Sequence, residues 1–234
     1  MKLNLFLLAG MITITGLAQD NSHLNEHNIA TIIRTEIPPI IDGEMDNIWE
    51  SSSTNLIDNI IEGIVSDSQD LSAKWSGLWS DTHLYIFVTV TDDKKLMDSP
   101  PEHSYFDDQI EIFITTDNKK PKDYWNPKNN NTYAFENPRG GSSKESHKSS
   151  VGHIYGQKET YTGWTLELAI PFKDWGINPK EGHKIGIDIQ VNDDDISDKK
   201  NSNARDAKIS WNSLTDDKGG VAFNPLLQGT AIFK

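Results

Sequence analysis

Between His83 and Thr91 the chain alternates without a fault: Leu84, Ile86, Val88 and Val90 on one face, Tyr85, Phe87, Thr89 and Thr91 on the other. A period of two over this length suits a β-strand and fits no helix. The same alternation recurs with Ile110, Ile112 and Ile114, with Trp164, Leu166, Leu168 and Ile170, and with Ile185, Ile187, Ile189 and Val191. Shorter strand candidates are Thr31–Arg34, Leu71–Trp75, Asn131–Glu136, Ser150–Tyr155, Ala207–Trp211 and Gly229–Phe233. Long helical periodicity is missing. Asp92-Asp93-Lys94-Lys95, Asn137-Pro138-Arg139-Gly140-Gly141 and Asn178-Pro179-Lys180-Glu181-Gly182 carry turn chemistry between the runs. Many strands with one apolar and one polar face predict an all-β fold, a two-sheet antiparallel β-sandwich of jelly-roll type.

Lys2, the apolar run Leu3–Ile14 and Gly16-Leu17-Ala18 follow the order of a cleavable export signal. The expectation is a signal peptide over 1–18, a polar leader over 19–35, a single sandwich over 36–234, and a secreted or periplasmic protein. No later segment is apolar for long enough to span a membrane as a helix. The net charge of −13 argues against nucleic acid and anionic lipid surfaces. The absence of cysteine removes disulfides, thiol catalysis and thiolate metal sites.

Phosphate loops, His-Glu-x-x-His and Gly-x-Ser-x-Gly motifs are missing. The acidic runs Asp193-Asp194-Asp195 and Asp216-Asp217 do not fit the spacing of an EF-hand and read as solvated turns. Glu111 and Glu167 are acids on strands, the minimum a glycosidase needs. A haem sandwich would need axial ligands, and Met45 and Met97 are the only methionines beyond the signal.

More informative is what the polar strand faces carry. Gln109 and Glu111 share one face, and Asp188, Gln190 and Asn192 line up on another. Tyr105 and Phe106 precede the first, Trp211 follows the second, and Trp125 sits in the polar stretch 116–150. Amide and carboxylate groups beside aromatic rings suit a sugar, whose hydroxyls seek such partners and whose C–H face stacks on a ring. A sheet that simply turns one face to water shows the same pattern.

Five segments in order carry a resemblance: Pro39-Ile40-Ile41-Asp42-Gly43-Glu44-Met45-Asp46-Asn47-Ile48-Trp49, Leu78–Ile86, Asp107–Ile114, Gly163–Phe172, and Gly186–Asp194 followed by Trp211. Together the chain from Glu36 to Lys234 resembles the carbohydrate-binding module family 9-like domain. The resemblance implies a non-catalytic β-sandwich that binds the ends of β-linked plant polysaccharides such as xylan or cellulose and holds structural calcium. It implies Tyr105 and Trp211 as an aromatic clamp, and Glu111, Gln190 and Asn192 as the hydrogen-bonding set. An Arg that the family pattern places near Asn131–Phe135 is absent here, and Arg139 stands only in the following loop. Trp49, Trp75, Trp79, Trp164 and Trp175 read as packing, with Asp42-Gly43 as a turn; Asp42, Glu44 and Asp46 are further calcium candidates. The sandwich itself occupies 36–234, so a glycoside hydrolase partner would act in trans. The rival readings are a structural envelope domain whose sugar pocket has decayed, a self-contained glycosidase, and a haem-binding redox sandwich.

Overall fold

The computed structural model describes residues 27–119, 131–142, 144–147, 152–197, 205–215, 220 and 224–234. The strands, in chain order, are β1 (Ile29–Arg34), β2 (Asn55–Ile57), β3 (Asn59–Gly63), β4 (Leu71–Trp79), β5 (His83–Asp92), β6 (Gln109–Thr115) and β7 (Thr132–Pro138). They continue as β8 (Lys144–His147), β9 (Ile154–Thr160), β10 (Gly163–Pro171), β11 (Lys184–Asp193), β12 (Ala207–Ser210) and β13 (Gly229–Phe233). A short α-helical turn, α1 (Phe172–Trp175), ends at Gly176 in the left-handed conformation. Every alternating run lies on a strand. The short, compositionally mixed β2 and β3 had no signal, and the Ser150–Tyr155 candidate forms further along, as β9.

The hydrogen-bonded path runs β8-β7-β6-β11-β13-β1-β4-β5-β10-β9, with β12 beside β11 and β3 beside β12. β1 joins the two layers. Its first four residues pair with β13, and Ile33 and Arg34 pair with β4, both in parallel. The sandwich is therefore antiparallel apart from β1, and the end of the expected polar leader is a structural strand within it.

Between the layers lies one apolar cluster, including Ile32, Trp75, Trp79, Val88, Ile112 and Phe135. Trp164 and Trp175 also belong to it, which bears out their reading as packing. A second, smaller cluster covers the other face of β5, where Trp49 packs with Leu78, Tyr85 and Phe87. The Trp49 and Phe87 rings are tilted against each other with centroids 5.4 Å apart.

Glu167 explains how the segment before β2 is held there. Its side chain is fully buried on the outer face of β10. Oε2 accepts from the backbone N–H groups of Asp42 (3.1 Å) and Gly43 (3.2 Å), and Oε1 accepts from the indole N–H of Trp49 (2.9 Å). Gly43 has φ +83°, and a Cβ on it would meet the Gln157 backbone carbon at 2.7 Å, so the tight turn against β9 requires glycine. Asp42 and Asp46 accept backbone N–H groups of Glu44 and Ile40, and Glu44 pairs with Lys158. The acids of this signature therefore fasten a turn. Glu111 and Glu167 stand on opposite outer faces of the sandwich, so the carboxylate pair a glycosidase needs is not assembled from them.

Glu167→Ala would strand three donors, two of them buried, and is expected to lower the unfolding free energy by about 3 kcal/mol. Urea denaturation checks this. The outer face of β6 and β11 lies on the far layer and should be unchanged in its ligand response.

Candidate functional site

β6, β11 and β12 are paired in register, Gln190 opposite both Glu111 and Ser210, and Asn192 opposite both Gln109 and Lys208. Alternation sends Ile110, Ile112, Ile189, Val191 and Ile209 into the core. Gln109, Glu111, Gln190, Asn192 and Lys208 therefore collect on the outer face, as cross-strand neighbours. This face is buried rather than solvated, which a plain water-facing sheet would not be.

At its centre, Lys208 Nζ lies 2.8 Å from Glu111 Oε2, and Gln109 Nε2 donates to Glu111 Oε1 at 3.3 Å. Burial alone would raise the Glu111 carboxyl, but Lys208 and Arg205 outweigh it and hold the group below its ordinary value. Asp188 is braced by Ser210 Oγ (2.8 Å), Gln190 Nε2 (3.2 Å) and the backbone N–H of Asn212 (2.9 Å). Its burial still pushes it up to about 6. Two buried acceptors, Gln109 Oε1 and Asn192 Oδ1, have no hydrogen-bond partner. Buried acceptors are ordinarily paired, and these two meet no protein donor.

Tyr105 stands at the rim, on the short 3-10 turn Pro101–Phe106, and 38% of it is exposed. Its carbonyl accepts from Asn192 Nδ2 (2.8 Å) and from Arg205 Nη1 (2.9 Å), and Arg205 Nε reaches Glu62 on β3 (2.8 Å). The Phe106 ring packs 4.5 Å from that of Tyr105, beneath the Arg205 guanidinium. The rigid floor thus carries an aromatic rim whose backbone it fixes.

Trp211 is not part of this arrangement. It is 3% exposed, meets Trp75 edge-on at 5.1 Å, and presses on Gly229, where a Cβ would come within 2.4 Å of the indole. A ring buried on both faces cannot stack on a sugar, so the expected Tyr105–Trp211 clamp is corrected. The phase was legible, since Ala207, Ile209 and Trp211 continue one apolar alternation. Trp125 lies outside the described residues.

Arg139 is committed as well. Its guanidinium donates to Asp92 (2.8 Å) and Glu159 (3.0 Å), approaches Asp108 (3.4 Å), and lies 4.6 Å from the centre of the Trp164 ring. β7 presents Thr132, Ala134 and Glu136 on the face shared with Glu111, and no arginine.

Beside Arg139 the loops gather three carboxylate groups: Asp92, Asp108 and Asp193; Asp98, Asp107 and Asp194; and Asp70, Asp93 and Asp195. The run 193–195, expected as a solvated turn, is largely buried here. Burial, reinforced by neighbouring carboxylates, pushes Asp193 up to about 9, Asp108 to about 8 and Asp194 to about 7, and burial pushes Asp92 to about 6. One oxygen each of Asp193, Asp194 and Asp195 has no hydrogen-bond partner. Asp216 and Asp217 lie outside the described residues.

Residues 41–234 match the family described as Carbohydrate family 9 binding domain-like. The chain belongs to that family. It is 29% identical over 183 residues to endo-1,4-beta-xylanase A of Thermoanaerobacterium saccharolyticum, and 30% identical over 185 residues to endo-1,4-beta-xylanase C of Paenibacillus barcinonensis. Each match takes in 77% of this chain, and the chain spans only 15–16% of the length of these relatives. A family 9 module from Caldicellulosiruptor kristjanssonii, solved in complex with cellotriose, shares the fold with a TM-score of 0.72 at 22% identity, over 88% of this chain and 94% of that one.

In this family 9 domain the donor set of the acidic end is all carboxylate oxygen, a composition suited to a hard divalent cation such as calcium. Without a cation these acids hold protons in the folded state that the unfolded chain has released above about pH 4. The folded chain then binds more protons than the unfolded one, so stability falls as pH rises through the range 6 to 9. His83, lowered by burial, opposes this as a single group. In chelator, the thermal midpoint is expected to fall by several degrees between pH 5 and pH 8.5. A differential scanning series would show it, and a flat or rising midpoint would contradict it.

Proposed function

We propose that this domain binds the terminus of a neutral, β-linked glucan or xylan chain on the outer face of β6, β11 and β12, without catalysing its cleavage. Tyr105 supplies the stacking ring at the rim, and Glu111, Gln190 and Asn192 supply the hydrogen bonds. The observation that carries this reading is the pair of unpartnered buried acceptors, Gln109 Oε1 and Asn192 Oδ1, on a rigid floor beside an exposed tyrosine. Sugar hydroxyls would supply the donors those acceptors lack. Neighbours solved with cellotriose and with glucose support the substrate class, and relatives named as xylanases support a role in polysaccharide breakdown.

The protein is exported on this reading and works beside a glycoside hydrolase by holding chain ends near the enzyme. Calcium held at the acidic end would neutralise the carboxylates around Asp193 and Asp194 and fix the loops before β6 and after β11. Asp92, Asp108 and Asp193, or Asp98, Asp107 and Asp194, or Asp70, Asp93 and Asp195 are the groups that would hold it. A second reading, a structural domain whose pocket has decayed, draws on the burial of Trp211 and Arg139, which leaves Tyr105 without a facing ring and Arg139 off the described floor.

Calorimetric titration of calcium-replete protein with cello-, xylo- and manno-oligosaccharides and their monosaccharides separates the two. Saturable binding to one class, weakened about tenfold or more by Tyr105→Ala, is the expected result. No heat from any glycan would leave the decayed-pocket reading in possession.

A further inference from the structure

We infer that Lys208 is a ligand-contacting, specificity-determining residue of this site: with Glu111 it forms an ammonium–carboxylate fork that grips two adjacent hydroxyls of a neutral terminal sugar. The inference rests on the sugar-binding reading above and assigns it a cation from a different strand. β7 brings no arginine to the face of Glu111; the residue directly opposite is Glu136. The cation comes from the other side, through β11, where Asn192 is flanked by Gln109 and Lys208.

Lys208 is almost wholly buried, and its ammonium sits 2.8 Å from Glu111 Oε2. Burying a lysine is costly unless it is paired, and pairing alone does not repay the cost in full. Well-packed apolar residues in place of both Lys208 and Glu111 would have served the stability of the sheet as well or better, so the pair calls for a use. Its geometry offers one. The carboxylate accepts from a hydroxyl and the ammonium donates to one, with their heavy atoms a hydrogen-bond length apart. Two neighbouring ring hydroxyls, one donating and one accepting, present the complementary pattern at the same spacing. The unpartnered Gln109 Oε1 and Asn192 Oδ1 lie on the residues flanking the pair.

The surrounding charge selects against an anionic sugar. Glu111, Glu136 and Glu62 stand on this face against Lys208 and Arg205, and Arg205 is already bound to Glu62 and to the Tyr105 carbonyl. Lys208 is held by Glu111, so neither of these cations is left to pair with a uronate. The fork therefore reads a neutral vicinal diol.

The test is calorimetry on the full chain in calcium, using glucose or xylose (whichever the titration above selects), its 2-deoxy analogue and glucuronate. Wild type should prefer the parent sugar to both. Lys208→Met should weaken the parent by about ten- to a hundredfold and erase the preference over the 2-deoxy sugar. Lys208→Arg should recover part of both. Should Lys208→Met fail to fold around an unpaired Glu111, the double variant Lys208→Met/Glu111→Gln removes both charges, and a cooperative thermal transition verifies its fold. Folded variants that keep wild-type affinity, or lose affinity equally for the parent and 2-deoxy sugars, overturn the fork and leave the sugar site standing. Wild type that binds no glycan overturns the sugar site itself, and the fork with it.

Discussion

In an antiparallel ladder, residues directly opposite one another point to the same face. Once Gln190 pairs with Glu111 on one side and Ser210 on the other, the direction of every side chain on β6, β11 and β12 follows. The isoleucines of these strands fill the core, and the amides, acids and lysine are driven together on the reverse. A slip of one residue would exchange the two faces entirely. The apolar core is therefore also what aligns the polar floor, and the floor in turn fixes Tyr105 through Asn192 and the β12-linked Arg205.

Charge is distributed between two regions with different solutions. On the floor, Glu111 is compensated from within by Lys208 and stays ionised. At the acidic end, Arg139 compensates Asp92 and approaches Asp108, but Asp193 and Asp194 meet mainly other carboxylates and are pushed toward the protonated form. An interior that collects acids in excess of its cations is stable only with protons or a bound cation. Arg139, which in sequence looks like a displaced sugar ligand, belongs to this second problem, with its guanidinium lying over Trp164.

Alternation made the strands legible, because burial of one face is a local, period-two constraint. It located Trp164 and the core-facing residues of β5, and it placed Glu111, Gln190 and Asn192 on outward positions. It also held the correction for Trp211, which shares the phase of Ala207 and Ile209 and turns inward with them. What alternation cannot carry is contact between distant segments. The Glu167 carboxylate is spent on backbone N–H groups more than 120 residues away, and Asp193 is buried only because loops after β5, before β6 and after β11 converge. Lys208 is one lysine among many until the register sets it across from Asn192 and against Glu111.

The most direct test of the account is which layer responds to sugar. Backbone amide resonances of isotopically labelled protein, followed during titration with cellobiose and xylobiose in calcium, give that answer residue by residue. The account predicts shifts centred on Glu111, Gln190, Asn192, Lys208 and the Tyr105 turn, with β4, β5 and β10 silent. Shifts centred instead on the groove beside Trp49, Lys74 and Thr89, on the opposite outer face, would contradict it.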